Sequence, residues 1–405
     1  MYFSLDSVDI IVWAFITIYV IYWIGSPRLS KNEPPMVPYK IPIIGHTLDY
    51  LFNAENFMEE FGNEITHEVF RTDAFSLIAA TRELFPLYRV LKNHDDPKAM
   101  DRVVNTIRKG ITPKLPLYNE RLQKQLMISI DKEIGDCSKP KLIDTTDELT
   151  SLSARPVADI LVGQEASKNE DLVKAFATFK RLKDKEILGE KYEPPLDLIE
   201  YLLNDPDFET KVVTDDYVDK LCDFLYVIVV ASVHTTSRHL TCALYDYGGR
   251  PELWDDIYEE QVKIDKECNG VLTSQHINKL VKLDSFIRET LRTFGSAGRT
   301  IQASLGDVHY NTTTYGPEPK SFLPYHGLEK NLPASKTDKN YFIFGTGKYT
   351  CPGRFFAVNE IKVCFHKLIL KYHIKTPSGK PEKKKVVGPA AHPPYAGLIF
   401  ENRKN

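Results

Sequence analysis

Near its C-terminal end the chain reads Phe344-Gly345-Thr346-Gly347-Lys348-Tyr349-Thr350-Cys351-Pro352-Gly353-Arg354, a glycine-punctuated loop that delivers one cysteine to the start of a helix. Gly347 and Gly353 permit positive φ or close backbone approach, the freedom that a tight turn around sulfur requires. Pro352 follows the cysteine directly. From Arg354 to Leu370, apolar residues at Phe355, Val358, Ile361, Val363 and Leu368 mark an amphipathic helical stretch. At the N-terminus of such a helix, free N–H groups and the positive end of the dipole favour a thiolate over a thiol. A lone thiolate presented this way suits a metal. A buried structural cysteine beside a turn is the plainer alternative.

Phe344, Gly347, Cys351 and Gly353 fit the pattern F-x-x-G-x-x-x-C-x-G, which four fixed positions meet by accident in about one such chain per thousand. The loop resembles the haem-binding signature of the cytochrome P450 family. That resemblance implies a mostly α, α+β fold and a haem whose iron takes Cys351 as its axial thiolate. It also implies that Phe344, Gly347, Lys348, Tyr349 and Gly353 lie against the cofactor.

Composition sets the boundaries of this reading. With 405 residues, 42% of them hydrophobic, the chain is long enough for a substantial core, and no Gly/Ser linker divides it. A net charge of −3 gives no pointer to nucleic acid. The six cysteines are scattered without a C-x-x-C pair, which argues against zinc sites and a disulfide framework.

The N-terminus is different in kind. Ile10 to Ile24 is uncharged and carries Trp13, Tyr19, Tyr22 and Trp23, rings suited to a membrane interface. Val8 to Gly25 gives a bare span for a bilayer. Asp6 and Asp9 precede it while Arg28 and Lys31 follow, so the positive-inside rule places the bulk of the chain in the cytosol. A cleaved signal peptide competes with this, but a positive n-region and a small-residue cleavage site are lacking. Pro34, Pro35, Pro38 and Pro42 then form a stiff spacer. The expected organisation is a transmembrane anchor over residues 1–27, a proline-rich hinge over 28–46 and a haem-thiolate domain over 47–405. Within the resemblance, this implies a single-pass protein of the endoplasmic reticulum membrane.

Two helical segments carry further chemistry. From Thr214 to Gly248 one long helix is expected, with Thr214, Asp215 and Asp216 at its start and Gly248-Gly249 at its end. Its centre, Leu225 to Ala231, is apolar on all sides, and Ser232-Val233-His234-Thr235-Thr236-Ser237 follows. Hydroxyls there can bond back to the i−4 carbonyl and distort the helix. A Thr/Ser patch packed against a neighbour is the ordinary reading of such a run. Ala231 to Thr236 also resembles the family's oxygen-activation motif, A-G-x-[D/E]-T-T. Thr235 then stands at the proton-relaying threonine, with Ser232 in place of glycine and His234 in place of the acid. In the second segment, Ile277, Leu280, Leu283, Phe286, Ile287, Leu291 and Phe294 recur at helical spacing. Glu289 and Arg292, three apart, share a face, and resemble the family's E-x-x-R pair, a scaffold lock behind the haem. Pro319, Phe322 and Pro324 resemble the meander that supplies a third member, where His326 replaces arginine without its bidentate fork.

The chain departs from the family in places. No Trp-x-x-x-Arg helix for a haem propionate is present, and Tyr349 stands where His or Arg is usual. The chain is short for a membrane-bound member. Phe179 runs at once into the basic stretch Lys180 to Lys185, and Val308 into His309, where further helices and strands are expected.

Lys348, Arg354, Lys362, Lys367 and Lys371 on and after the cysteine loop read either as a basic face for an acidic flavoprotein or as the solvated side of a helix. The resemblance implies a monooxygenase that places one oxygen atom of O2 into a lipophilic small molecule. Its electrons would come from an NADPH-dependent flavoprotein reductase, with cytochrome b5 as a further donor. A haem-binding relative that does not turn over is the alternative.

Overall fold

The computed structural model describes residues 12–20, 99–145, 148–167, 214–294, 309–347, 350–387 and 390–404, together with 198, 202 and 212. The hinge at 28–46, the basic stretch after Phe179, the segment around Val308, and Lys348 and Tyr349 lie outside the described residues. So does most of the expected anchor.

Residues 12–20 are helical, and Trp13, Phe15, Ile18 and Tyr19 on it are exposed. Among the described residues no helix is long and apolar enough to cross a membrane. Downstream, α1 (Ala99–Thr106) passes through a π turn (Ile107–Ile111) and a 3-10 turn (Thr112–Lys114) into α2 (Leu115–Glu133). Strand β1 (Lys141–Ile143) and helix α3 (Glu148–Ser167) follow. Gly163 interrupts α3 at φ 79, a torsion that glycine adopts without steric cost.

Helix α4 (Asp215–Gly248) begins and ends where its caps predict. The Thr214 hydroxyl accepts the Tyr217 amide at 3.2 Å, and Asp215 and Asp216 sit in the first turn against the positive helix end. At the far end the Gly249 amide bonds the Tyr245 carbonyl. A Cβ on Gly249 would meet the Lys380–Pro381 backbone at 2.6 Å, so this chain crossing demands glycine.

Helices α5 (Trp254–Glu267), α6 (Ser274–Lys279) and α7 (Val281–Phe294) come next. The periodicity from Ile277 to Phe294 predicts one helix, but the backbone breaks at Leu280 (φ −75, ψ 65). The reason is a cap from another element. The Glu260 carboxylate on α5 accepts the amides of Lys282 and Leu283 at 2.7 and 3.0 Å, which requires a free helix N-terminus there.

Short turns α8 (Thr312–Tyr315) and α9 (His326–Glu329) precede α10 (Arg354–Lys371). The chain closes with β2 (Tyr372–Lys375), β3 (Lys385–Val387), β4 (Ala390–His392) and β5 (Leu398–Asn402). Strand β5 lies between β1 and β2, antiparallel to both, with Leu142 opposite Ile399 and Ile374 opposite Phe400. Strands β3 and β4 form a separate pair.

The core gathers α4 against α3, α7 and α10, with α2 packed on α3 and α10. Phe365 of α10 sits edge-on to Tyr247 of α4 at 5.4 Å and tilted to Phe286 of α7 at 5.7 Å. Burying side chains of this size contributes about 1.5–3 kcal/mol each, so α10 is an interior helix rather than a half-wet one. That corrects the amphipathic reading of its lysines. Lys362 is buried and paired with Asp284 at 3.1 Å. Lys367 donates to the Gly270 carbonyl beside Asp265, and Lys371 pairs with Asp131 at 2.5 Å. Of that basic set, Arg354 alone among the described residues has no carboxylate partner within salt-bridge distance. It donates to the Cys351 carbonyl at 3.0 Å and lies over the Phe355 ring.

Candidate functional site

The cysteine loop is built from its own backbone. The Phe342 carbonyl accepts the Gly345 amide at 2.7 Å, and the Phe344 carbonyl accepts the Cys351 amide at 2.7 Å. Gly345 (φ 68) and Gly347 (φ 62) take the left-handed torsions that return the chain to the helix. Thr350 locks the turn, its hydroxyl donating to the Gly347 carbonyl at 2.7 Å. Phe344 is half-buried against the core, and the Gly353 carbonyl accepts the Ala357 amide to start α10.

Cys351 is free and half-buried. Burial pushes its thiol above the ordinary range, against the N–H of Gly353, the charge of Arg354 and the N–H of Arg354, which all act the other way. Desolvation thus opposes the thiolate that the helix start favours, and a cationic partner at the sulfur would favour the ionised form. Gly353 has φ −84, so torsion does not require glycine there. A Cβ on it would meet only the Cys351 Sγ, at 3.9 Å. What the missing side chain leaves is clear space beside the sulfur. A free sulfur at a helix start, with a neighbouring guanidinium and an open flank, is an arrangement that fits thiolate ligation of haem iron.

The Glu289–Arg292 pair lies behind this loop on α7, and both side chains are almost fully buried. Arg292 grips the carboxylate with its Nε at 2.8 Å and Nη2 at 2.5 Å. Its remaining N–H groups donate to the carbonyls of His309 (2.7 Å), Pro319 (2.6 Å) and Ser321 (2.9 Å). Glu289 also accepts the Leu323 amide at 2.6 Å. The pair thus gathers the whole 309–323 segment. His326 lies at the start of α9, its ring tilted against Tyr315 at 5.0 Å. Burial lowers the His326 pKa, and the Glu289 carboxylate partly counters that. The carboxylate's hydrogen bonds go to Arg292 and to a backbone amide, so His326 stands beside the pair without a bond to it among the described residues.

Thr235 sits on α4, exposed, and its hydroxyl donates back to the Ala231 carbonyl at 2.6 Å. Ser232 and Thr241 do the same to Ile228 and Ser237 at 2.7 and 2.8 Å. Thr236 is buried, so the two threonines face different surroundings. His234 is on the same helix, and its side chain lies outside the described residues.

Two participants escaped the reading of the sequence. His309 touches both α7 and the cysteine loop, and Glu260 caps α7 from α5. Both act across the fold rather than along the chain. The only local signal was a histidine just before an Asn311 helix cap.

The sequence profile described as Cytochrome P450 matches residues 152–297 and 296–396. Among curated proteins, the chain is 24% identical to Cytochrome P450 monooxygenase ccsG of Aspergillus clavatus, covering 80% of this chain and 79% of that one. It is 25% identical to Cytochrome P450 monooxygenase ascG of Acremonium egyptiacum over 463 residues, covering 89% and 82%. Ent-kaurene oxidase of Gibberella intermedia is 24% identical, covering 68% and 65%. The chain belongs to the cytochrome P450 family. Membership makes it an oxidoreductase of the monooxygenase class with a haem-thiolate cofactor, working with O2, a lipophilic substrate and a redox partner.

Proposed function

We propose that the protein inserts one oxygen atom of O2 into a lipophilic small molecule, with Cys351 as the haem's axial ligand. The observation that carries this is the sulfur itself, free at the start of α10 with clear space where a Gly353 side chain would stand. Thiolate-ligated haem, when bound, supplies the oxygen-activating chemistry. The loop's part is to fix the sulfur. By resemblance, Phe344, Gly347, Lys348, Tyr349 and Gly353 are the positions that would bind the cofactor, and Glu289 with Arg292 braces the 309–323 segment, with His326 alongside.

Thr235 is the proton-handling group on the opposite helix. Its own hydrogen is committed to the Ala231 carbonyl, so the oxygen presents lone pairs. It can accept a hydrogen bond from an ordered water and hold that water in place for proton delivery, a route in which the resemblance also gives His234 a part.

The electrons come from an NADPH-dependent flavoprotein reductase, with cytochrome b5 as a second donor. Exposed Arg108 and Lys109 on the π turn support an acidic partner, since Arg108 lies within electrostatic reach of Arg354 at the loop. The exposed apolar helix at 12–20 supports a single-pass anchor over 1–27, a hinge over 28–46 and a cytosolic domain over 47–405 at the endoplasmic reticulum.

One observation favours a second reading, a haem-binding relative that does not turn over. The 463-residue match to ascG is longer than this 405-residue chain, so that relative carries stretches without a counterpart here. Purified protein with haem, carbon monoxide and reductant should give a red-shifted Soret band. Product formation with reductase and NADPH then separates the two readings. The absence of the band from haem-loaded protein overturns Cys351 as the axial ligand and, with it, the first reading.

A further inference from the structure

We propose that His309 is a positioning residue that couples the Glu289–Arg292 pair to the cysteine loop by holding the Phe342 amide. The imidazole is buried between the two. Its Nδ1 donates to the Arg292 carbonyl at 3.0 Å, and its Nε2 accepts the Phe342 amide at 2.9 Å. Its own carbonyl accepts Arg292 Nη1 at 2.7 Å, so the two residues bracket each other. The ring stacks on Tyr341 at 5.8 Å, which fixes its plane. One donor and one acceptor on opposite sides of a ring is what neutral imidazole offers in a single tautomer.

The Phe342 amide is the first link of a short relay to the sulfur. Phe342 turns the chain by accepting Gly345, and Phe344, two residues on, accepts Cys351. Holding Phe342 therefore sets where that turn begins. Arg292 reaches the loop through His309 rather than by direct contact among the described residues. The inference rests on the reading of Cys351 as the ligand only for its consequence at the haem. The bracket itself stands apart from it.

The test uses the full-length, haem-loaded protein with His309→Phe, which keeps a ring but removes both bonds, and His309→Gln, which can both donate and accept. Hydrogen-exchange mass spectrometry on peptides spanning 341–351 should show exchange about tenfold faster in His309→Phe, the factor that about 1.4 kcal/mol represents. Peptides from α2 and α3 should be unchanged. His309→Gln should restore much of the protection. The red-shifted band of the carbon monoxide adduct should decay about tenfold faster in His309→Phe, in step with the exchange. Wild-type exchange at 341–351 in His309→Phe overturns the proposal, as does acceleration spread evenly over the molecule. If His309→Phe does not fold, His309→Leu, which also lacks both bonds, takes its place on the same peptides with the same expected and overturning results. A wild-type protein with no red-shifted band removes Cys351 as ligand, yet leaves the exchange result to judge the bracket.

Discussion

Lys362 on α10 reaches Asp284 on α7 at 3.1 Å, with 5% of the lysine side chain and 17% of the aspartate exposed. This pair joins the helix that leaves the cysteine to the helix that bears Arg292. The Asp284 carboxylate has a second task, accepting the Ala334 amide at 2.8 Å. Asp284→Ala therefore strands a buried ammonium and an amide together, and should destabilise by about 3–5 kcal/mol. Lys362→Met leaves an aspartate that keeps its amide and some solvent, and should cost clearly less. Denaturant midpoints for the two variants check the order.

Arg292→Lys preserves the charge but not the fork. Five donated hydrogen bonds to Glu289, His309, Pro319 and Ser321 cannot be made by one ammonium. A loss of about 3 kcal/mol or more is expected, with poor haem retention. Chemical denaturation and the haem-to-protein absorbance ratio measure both.

Cys351→Ala should abolish the red-shifted band of the carbon monoxide adduct. The Phe344–Cys351 backbone bond does not need the sulfur, so far-UV circular dichroism should stay as in wild type. A retained band would reassign the ligand.

Thr235→Ala removes the hydroxyl without disturbing the core, because Thr235 is exposed. Product formed per O2 consumed should fall on the order of a hundredfold, while the rate of NADPH oxidation changes little. Parallel oxygen-electrode and product assays supply the ratio.

Buried titratable groups shape the pH response, Glu360 and His309 among them. Glu360 on α10 is raised to about 8 by burial, offset only weakly by the Ser153 hydroxyl, and neither carboxyl oxygen has a well-formed hydrogen bond. Unfolded, it ionises near 4.5. Its contribution is therefore full below about pH 4.5 and is lost as pH rises through about 8. His309, lowered from 6.5 to about 3 by burial, with Arg292 and Arg288 opposing its charge, works in the other direction. Its contribution is present above about pH 6.5 and is lost as pH falls toward 3. Glu360→Gln should flatten the decline between pH 5 and 8 in thermal midpoints and leave the acid limb in place.

The features that sequence made legible are those governed by neighbours along the chain. Thr214 and Gly249 bounded α4, and the glycines around Cys351 marked the turn. The Leu280 break was hidden because its cause, Glu260, belongs to another helix. The lysines of α10 read as a basic docking face or a solvated side because periodicity says nothing about how far neighbouring elements bury a helix. The burial that opposes ionisation of the metal-free Cys351 thiol is set by packing, which local pattern does not carry. Bonds across the fold, such as His309 to Phe342, leave no trace in spacing.

Enclosure of α10 has a mechanical consequence. A residue hung from a surface loop drifts with that loop, but Cys351 lies only three positions before a largely buried helix. Any displacement of the sulfur along the axis of α10 must drag Phe365 through rings contributed by α4 and α7. The position of the donor atom is thereby referenced to the centre of the protein, and thermal wandering of the outer segments reaches it heavily damped.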